Sequence, residues 1–266
     1  MSLDPILEPT ALGAAGFIQL LDVRDQEAFE ASHYPSAVRV PVERWEAAAK
    51  EEETSLDNVS YWADEITQLG IHNKSTVAIY DDGRMTEAAR VWFILQYFGA
   101  SAFLLNGGWP ALTSSCFPAE VPAFVGNKPP FEARPGAGPV GLVDRHALRI
   151  GLSEDKRILD ARTRAEFYGN DLRKNTRGGH LPGARLLSHS SFLVDGWIKP
   201  PAELRDLLTE AGFQFGDHVV THCDGGGRAA LAAAVAARAG YEDVRAYYLS
   251  FADWAKDDSC PVVTKD

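Results

Sequence analysis

The chain has 266 residues, 45% of them apolar and 24% charged, which suits two domains of ordinary size, each with its own core, and excludes a disordered chain. Lys and Arg number 26 against 37 Asp and Glu, and the net charge of -11 excludes general binding to nucleic acid or to an anionic membrane, though not a small anionic substrate at one locally positive site. Three cysteines (Cys116, Cys223 and Cys260) are too few and too scattered for a disulfide framework or a cysteine-based metal site. In chain order, the opening MSLDPILEPT lacks the pattern of a signal peptide, and no apolar run approaches the ~20 residues that span a bilayer. The expectation is a cytoplasmic monomer. The segments FIQLLDVR, STVAIYDD and SAFLLNGG are short, apolar and bounded by polar or glycine residues, and predict buried strands. Met85, Ala88, Ala89, Trp92 and Leu95 recur at helical spacing between the last two, and Gly99 predicts the stop of that helix. Residues 118–140 hold six prolines and predict a semi-extended surface linker. Beyond it, KRILDAR, HVVTHC and DVRAYYL predict strands again, and the alanine-dominated stretch 229–240, closed by Gly240, predicts a helix lying close to a sheet.

The chain repeats itself. Leu21-Asp22-Val23-Arg24 returns 138 residues later as Leu159-Asp160-Ala161-Arg162, and His33-Tyr34-Pro35-Ser36-Ala37 returns 147 later as His180-Leu181-Pro182-Gly183-Ala184. The stretch from Val77 to Gly83 returns 142 later as Val219 to Gly225. Three matches in one order at nearly one offset predict two copies of one domain, at 1–118 and 141–266, joined by a linker at 119–140. Strands alternating with helices predict an α/β fold with mainly parallel sheets covered on both faces, whose functional loops lie at the carboxyl ends of strands.

One loop carries chemistry. Cys223-Asp224-Gly225-Gly226-Gly227-Arg228 lies between the strand HVVTH and the alanine-rich helix. Three glycines there let the backbone curl at positive φ and point N–H groups inward as an anion-binding nest, to which the helix adds its positive end. A cysteine at the rim of such a nest is stabilised as thiolate, and Arg228 adds a fixed positive charge suited to an anionic substrate. Each feature has a bland explanation alone: a cysteine at a strand end is usually a small hydrophobe, and a glycine run only a turn.

The loop of Cys, four residues and Arg resembles the active-site loop of rhodanese-type sulfurtransferases. The repeated Leu-Asp-x-Arg and His-x-Pro-x-Ala segments, and the tail from Tyr241 to Trp254 with Pro261-Val262, are similar to other parts of the tandem-domain members. The resemblance implies two rhodanese-like domains, the first inactive because Asp81 stands where the second has Cys223, and serving as scaffold and one wall of a site between the domains. It implies a sulfane sulfur carried as a Cys223 persulfide in a ping-pong cycle, from thiosulfate first or 3-mercaptopyruvate second, to cyanide, a small thiol or a protein thiol, with no cofactor or metal. The backbone of residues 224–228 and the Arg228 side chain are the implied substrate-binding groups.

Two alternatives stand beside it. Cysteine phosphatases and arsenate reductases place five residues between Cys and Arg where this chain has four, and a smaller ring suits a sulfur atom better than a phosphoryl group. A non-enzymatic module would need both copies dead. The chain also departs from the family pattern: Asp224 puts a carboxylate where a cation would help a dianionic donor, and Glu166 stands where many members carry an Arg. The stretch from Arg162 to His180 is nine residues longer than its first-copy counterpart, and its Arg173, Lys174 and Arg177 either line the site entrance or form a solvated loop. Asp22, Asp160, His33 and His180 are expected to hold turns. His222 should point away from its neighbour Cys223. Cys116 and Cys260 are expected to be incidental, and of six tryptophans, all candidates for core or interface, Trp45 and Trp109 are candidates for a cleft wall.

Overall fold

The structure is a computed structural model that describes residues 4–12, 18–114, 129–153 and 156–264. It divides into two compact units, one of Asp4–Gly138 and one carrying Pro139–Asp266.

The first unit contains β1 (Ile6–Leu7), β2 (Gln19–Asp22), α1 (Gln26–Ala31), β3 (Val38–Arg39), α2 (Val42–Ala48), α3 (Val59–Gln68), β4 (Thr76–Tyr80), α4 (Thr86–Tyr97), β5 (Ser101–Leu105) and α5 (Gly108–Ser114). The second contains β6 (Val140–Leu142), α6 (Arg145–Ile150), β7 (Lys156–Asp160), α7 (Arg164–Phe167), β8 (Ala184–Leu186), the hairpin β9 (Leu193–Val194) and β10 (Trp197–Ile198), α8 (Pro201–Glu210), β11 (His218–His222), α9 (Gly227–Arg238), β12 (Val244–Ala246) and α10 (Ser250–Trp254). The two five-stranded sheets have equivalent orders, β1-β5-β4-β2-β3 and β6-β12-β11-β7-β8, with every neighbouring pair parallel. The predicted duplication and α/β class therefore hold, and in both units the central strands run as continuous buried residues, as sheets covered on both faces require. No helix among the described residues is long and apolar enough to cross a membrane.

Helix α9 shows why its composition reads as it does. Gly227 and every residue from Ala229 to Ala237 are buried, because the helix is enclosed between the sheet and α8. Small side chains allow that approach. The predicted glycine stops are Schellman motifs: Gly240 (φ +98°) donates to Ala237 O at 3.0 Å and Tyr241 to Ala236 O at 3.1 Å, and Gly99 and Ala100 repeat the pattern on Gln96 and Leu95.

The linker differs from its expectation in part. Residues 119–128 lie outside the described residues, as does Cys116, but 129–138 pack onto the first unit. Phe131 is buried and donates from its N–H to Thr67 Oγ1 at 2.9 Å, and Arg134 N–H reaches Phe98 O at 2.9 Å. A Cβ on Gly138 would lie 2.2 Å from Gln96 O, so only glycine fits there. Trp45 is a correction to the cleft-wall expectation: it is fully buried, with Nε1 donating to Glu65 at 2.9 Å. Cys260 belongs to a closed apolar cluster with Val220, Phe251 and Trp254.

Gly240→Ala should lose about 1 kcal/mol of unfolding free energy, because alanine is strained at this left-handed position; urea unfolding of the variant measures it.

Candidate active site

At the carboxyl edge of the second unit's sheet, the chain after β11 and the chain after β12 meet at one thiol. Cys223 directly follows β11, and the chain curls back through Asp224 and Gly225 before Gly226 caps α9. Of the three glycines only Gly226 takes a positive φ, +104°. That single reversal aims its N–H at Cys223 Sγ, 3.1 Å away. The thiol was expected at the rim of the loop but lies within it, with the residue 1% exposed, because the loop and α10 close around it. The sulfur thus faces a backbone donor and the positive end of a twelve-residue helix.

Ser250, from the loop after β12, is the residue that sequence reasoning missed. It is fully buried at φ +61°, a conformation that costs a non-glycine residue of order 1–3 kcal/mol. Its Oγ accepts from Cys223 N–H at 3.0 Å, donates to Tyr247 O at 2.8 Å and lies 3.6 Å from Sγ. The signal was available in the repeat: Ser250 falls opposite Gly108, at the same offset that relates Asp81 to Cys223. In the first unit Gly108 holds the same left-handed turn at φ +56°, and a Cβ there would approach Asp81 O to 2.7 Å.

Arg228 does not stand open to a ligand. Its two terminal nitrogens fork onto Glu166 at 2.7 and 2.8 Å, and the Glu166 carboxylate also accepts from Thr163 N–H and Oγ1 in a capping box that starts α7. Burial would raise the Glu166 pKa, but Arg228 and Thr163 outweigh it and hold the carboxyl down to about 2. Burial works against the Arg228 charge, and Glu166 and Cys223 more than offset it, so its pKa rises. Glu166, which stands where the resemblance implies an Arg, is therefore the counter-ion of the loop's own Arg.

The remaining expected groups separate. Asp224 Oδ1 accepts from Asn175 Nδ2 at 2.7 Å, which ties the long insertion to the Cys223 loop. Arg173 and Lys174 are exposed on that insertion. Arg177 is committed elsewhere: its guanidinium donates to the carbonyls of Trp254, Ala255, Asp257 and Cys260, anchoring the insertion to the chain after α10. Gly225 and Gly227 contribute backbone to the turn and the first residue of α9. His222 points away from Sγ, with its ring against Asp160 at 3.4 Å, and His180 stacks on Phe167. Asp160 holds Arg162 in a buried fork, as Asp22 holds Arg24 in the first unit, and each Arg lies 4.1 Å over an aromatic ring, Phe251 and Trp109 respectively. Among the described residues no cluster of His, Cys, Asp and Glu is arranged to hold a metal ion.

In the first unit Asp81 occupies the cysteine's position. Its carboxylate accepts from the N–H groups of Gly83, Met85 and Ala88 at 2.9–3.3 Å, so the donors of that loop are already occupied. Burial pushes its pKa up against those three hydrogen bonds.

The site's acid sensitivity has a sign. Burial pulls the His222 pKa down to about 4, with Arg162 adding and Asp160 opposing. Stability from keeping the ring neutral is fully present above 6.5 and is lost as pH falls through about 4. His222→Gln should flatten the fall in unfolding free energy between pH 7 and 4 by up to about 3 kcal/mol, measured by urea unfolding across that range.

Comparison with known proteins agrees with the fold. The family described as Rhodanese-like domain matches residues 10–115 and again 146–257. The chain is 24% identical over 233 residues to the thiosulfate sulfurtransferase of Gallus gallus, covering 86% of this chain and 80% of that one. It is 26% identical over 250 residues to the 3-mercaptopyruvate sulfurtransferase of Mus musculus, covering 91% and 84%. Among solved structures, SseA from Escherichia coli, a 3-mercaptopyruvate sulfotransferase of rhodanese fold, superposes with a TM-score of 0.72 at 22% identity over 93% of this chain and 98% of its own. The anaerobic ergothioneine biosynthesis enzyme from Chlorobium limicola gives 0.80 at 21% identity over 99% and 71%.

Proposed function

The chain belongs to the rhodanese-like family, and from that premise we propose that it moves a sulfane sulfur from thiosulfate or 3-mercaptopyruvate to a thiophilic acceptor through a persulfide on Cys223. The observation that carries the reading is the Gly226 N–H held 3.1 Å from Sγ at the start of α9. In the loading step the Cys223 thiolate attacks the donor's transferable sulfur, and sulfite or pyruvate leaves with the bonding electrons. The Gly226 N–H and the helix end stabilise negative charge on sulfur before and after transfer, as an oxyanion hole does for oxygen. Ser250 holds the Cys223 N–H and so sets the angle from which the side chain leaves the strand. The acceptor then removes the outer sulfur and restores the thiolate.

The charge around the loop bears on the sulfur donor. Its one cation, Arg228, is forked onto Glu166, and Asp224 adds a carboxylate next to the nucleophile. This arrangement disfavours dianionic thiosulfate relative to 3-mercaptopyruvate, which carries a single negative charge. A phosphatase reading is less well supported for the same reason, since a phosphate dianion would meet the same carboxylate without a free guanidinium.

Incubation with each donor followed by intact-mass measurement should show a gain of one sulfur atom, mapped to Cys223 and absent in Cys223→Ser; a protein that gains no sulfur from either donor contradicts the reading. Asp224→Asn should raise kcat/KM for thiosulfate relative to 3-mercaptopyruvate by about 3- to 10-fold, the effect of one charge at short range in a partly solvated site.

A further inference from the structure

The loop after β8 contributes a histidine for which the loading step has no use. Leu187 N–H donates to Asp160 O at 3.0 Å, which carries the chain leaving β8 along the carboxyl end of β7. A short 3-10 turn, His189–Phe192, then packs against α9. His189 is fastened there twice by one carbonyl: its N–H lies 3.1 Å and its Nδ1 3.3 Å from Ala161 O. Ala161 in turn donates its N–H to His222 O at 2.9 Å, one residue before the nucleophile. His189 is therefore set at the carboxyl end of β7, the strand next to the one that carries Cys223.

The hydrogen bond decides the tautomer. A carbonyl oxygen only accepts, so Nδ1 bears the proton and Nε2 presents a lone pair. The ring is half-buried, neighboured by the Arg228 guanidinium on α9 and the Glu166 carboxylate on α7. Burial and then the Arg228 charge lower its pKa from the usual 6.5, against the Ala161 hydrogen bond and the Glu166 charge, so the ring is neutral at neutral pH.

We propose that His189 is a catalytic residue of the discharge half-reaction, taking the proton of an acceptor thiol on Nε2 and returning it to the transferred sulfur. This rests on the sulfur-transfer reading above. The persulfide enters as Cys223 Sγ–S⁻. An acceptor R–SH gives its proton to Nε2, and the resulting thiolate forms a bond to the outer sulfur. The Sγ–S bond breaks with its electron pair passing to Sγ, and the proton moves from Nε2 to the transferred sulfur. The products are the Cys223 thiolate and R–S–SH, with atoms, charge and electrons balanced and no external oxidant or reductant. The device suits a neutral thiol acceptor, most of which is protonated at neutral pH, and it is idle for an acceptor that already arrives as an anion.

That difference supplies the test. Protein loaded with sulfur is mixed at alkaline pH with 2-mercaptoethanol or with sulfite, which has no proton to lose there, and loss of the sulfur is followed by intact mass. His189→Gln should slow discharge to the thiol by roughly 100-fold, the usual worth of a general base, while discharge to sulfite changes by no more than about threefold. The thiol rate of the variant should follow the thiolate fraction, rising about tenfold per pH unit across a range in which the wild-type rate is nearly flat, and added imidazole should restore thiol discharge in His189→Ala. Equal slowing with both acceptors, or an unchanged thiol rate, overturns the role of His189 while leaving sulfur transfer intact. A wild-type protein that takes up no sulfur overturns the sulfur-transfer reading itself.

Discussion

A single backbone N–H held 3.1 Å from a sulfur atom organises the second unit's carboxyl edge. For Gly226 to make that contact the chain must reverse at φ +104° within three residues of the strand end, and α9 must begin at once. The helix can begin there only because it is pressed close to the sheet, which its buried alanines permit. The Cys223 N–H must in turn be satisfied from outside the strand ladder, and Ser250 does this at the expense of a left-handed backbone. Sheet, helix composition, glycine and strained serine are thus parts of one constraint: a polar seat for a buried thiol.

The two units show what the constraint is worth by showing its absence. They share strand order, the Asp–Arg fork at the end of the second strand in sequence, the aromatic ring beneath that Arg and the left-handed residue in the chain after β5 and after β12. In the first, Asp81 satisfies the loop's N–H groups with its own carboxylate, and glycine takes the left-handed position at no steric cost. In the second, the loop turns the Gly226 N–H onto the thiol sulfur, and a serine accepts strain to hold the Cys223 backbone. The first loop is closed upon itself; the second is poised toward sulfur.

Electrostatics complete the contrast. The only cation in the Cys223 loop is neutralised by Glu166, which is fixed by the capping box of α7, and Asp224 is tied to the insertion through Asn175. The insertion is anchored by Arg177 across four carbonyls, so a side chain that looks like an anion ligand in the sequence holds the loop in place. With charge arranged this way, the Cys223 sulfur faces the Gly226 N–H and the start of α9 rather than a free guanidinium.

The sequence alone determined the duplication, the α/β class, the two long central helices with their glycine stops and the cysteine loop, because each is written in local pattern: apolar runs, helical spacing and recurring motifs. Strands of two or three residues such as β1, β3, β6 and β8 were not legible, since so few positions carry no periodicity and exist as strands only through the neighbour they pair with. The tertiary structure alone decided that Arg228 meets Glu166, that Arg177 meets the C-terminal carbonyls, that Ser250 meets Cys223 and that His189 meets Ala161. Those partners come from loops 62, 83, 27 and 28 residues apart, brought to one edge because parallel strands end side by side. A hydrogen bond across such a distance leaves no trace in the composition or spacing of either segment.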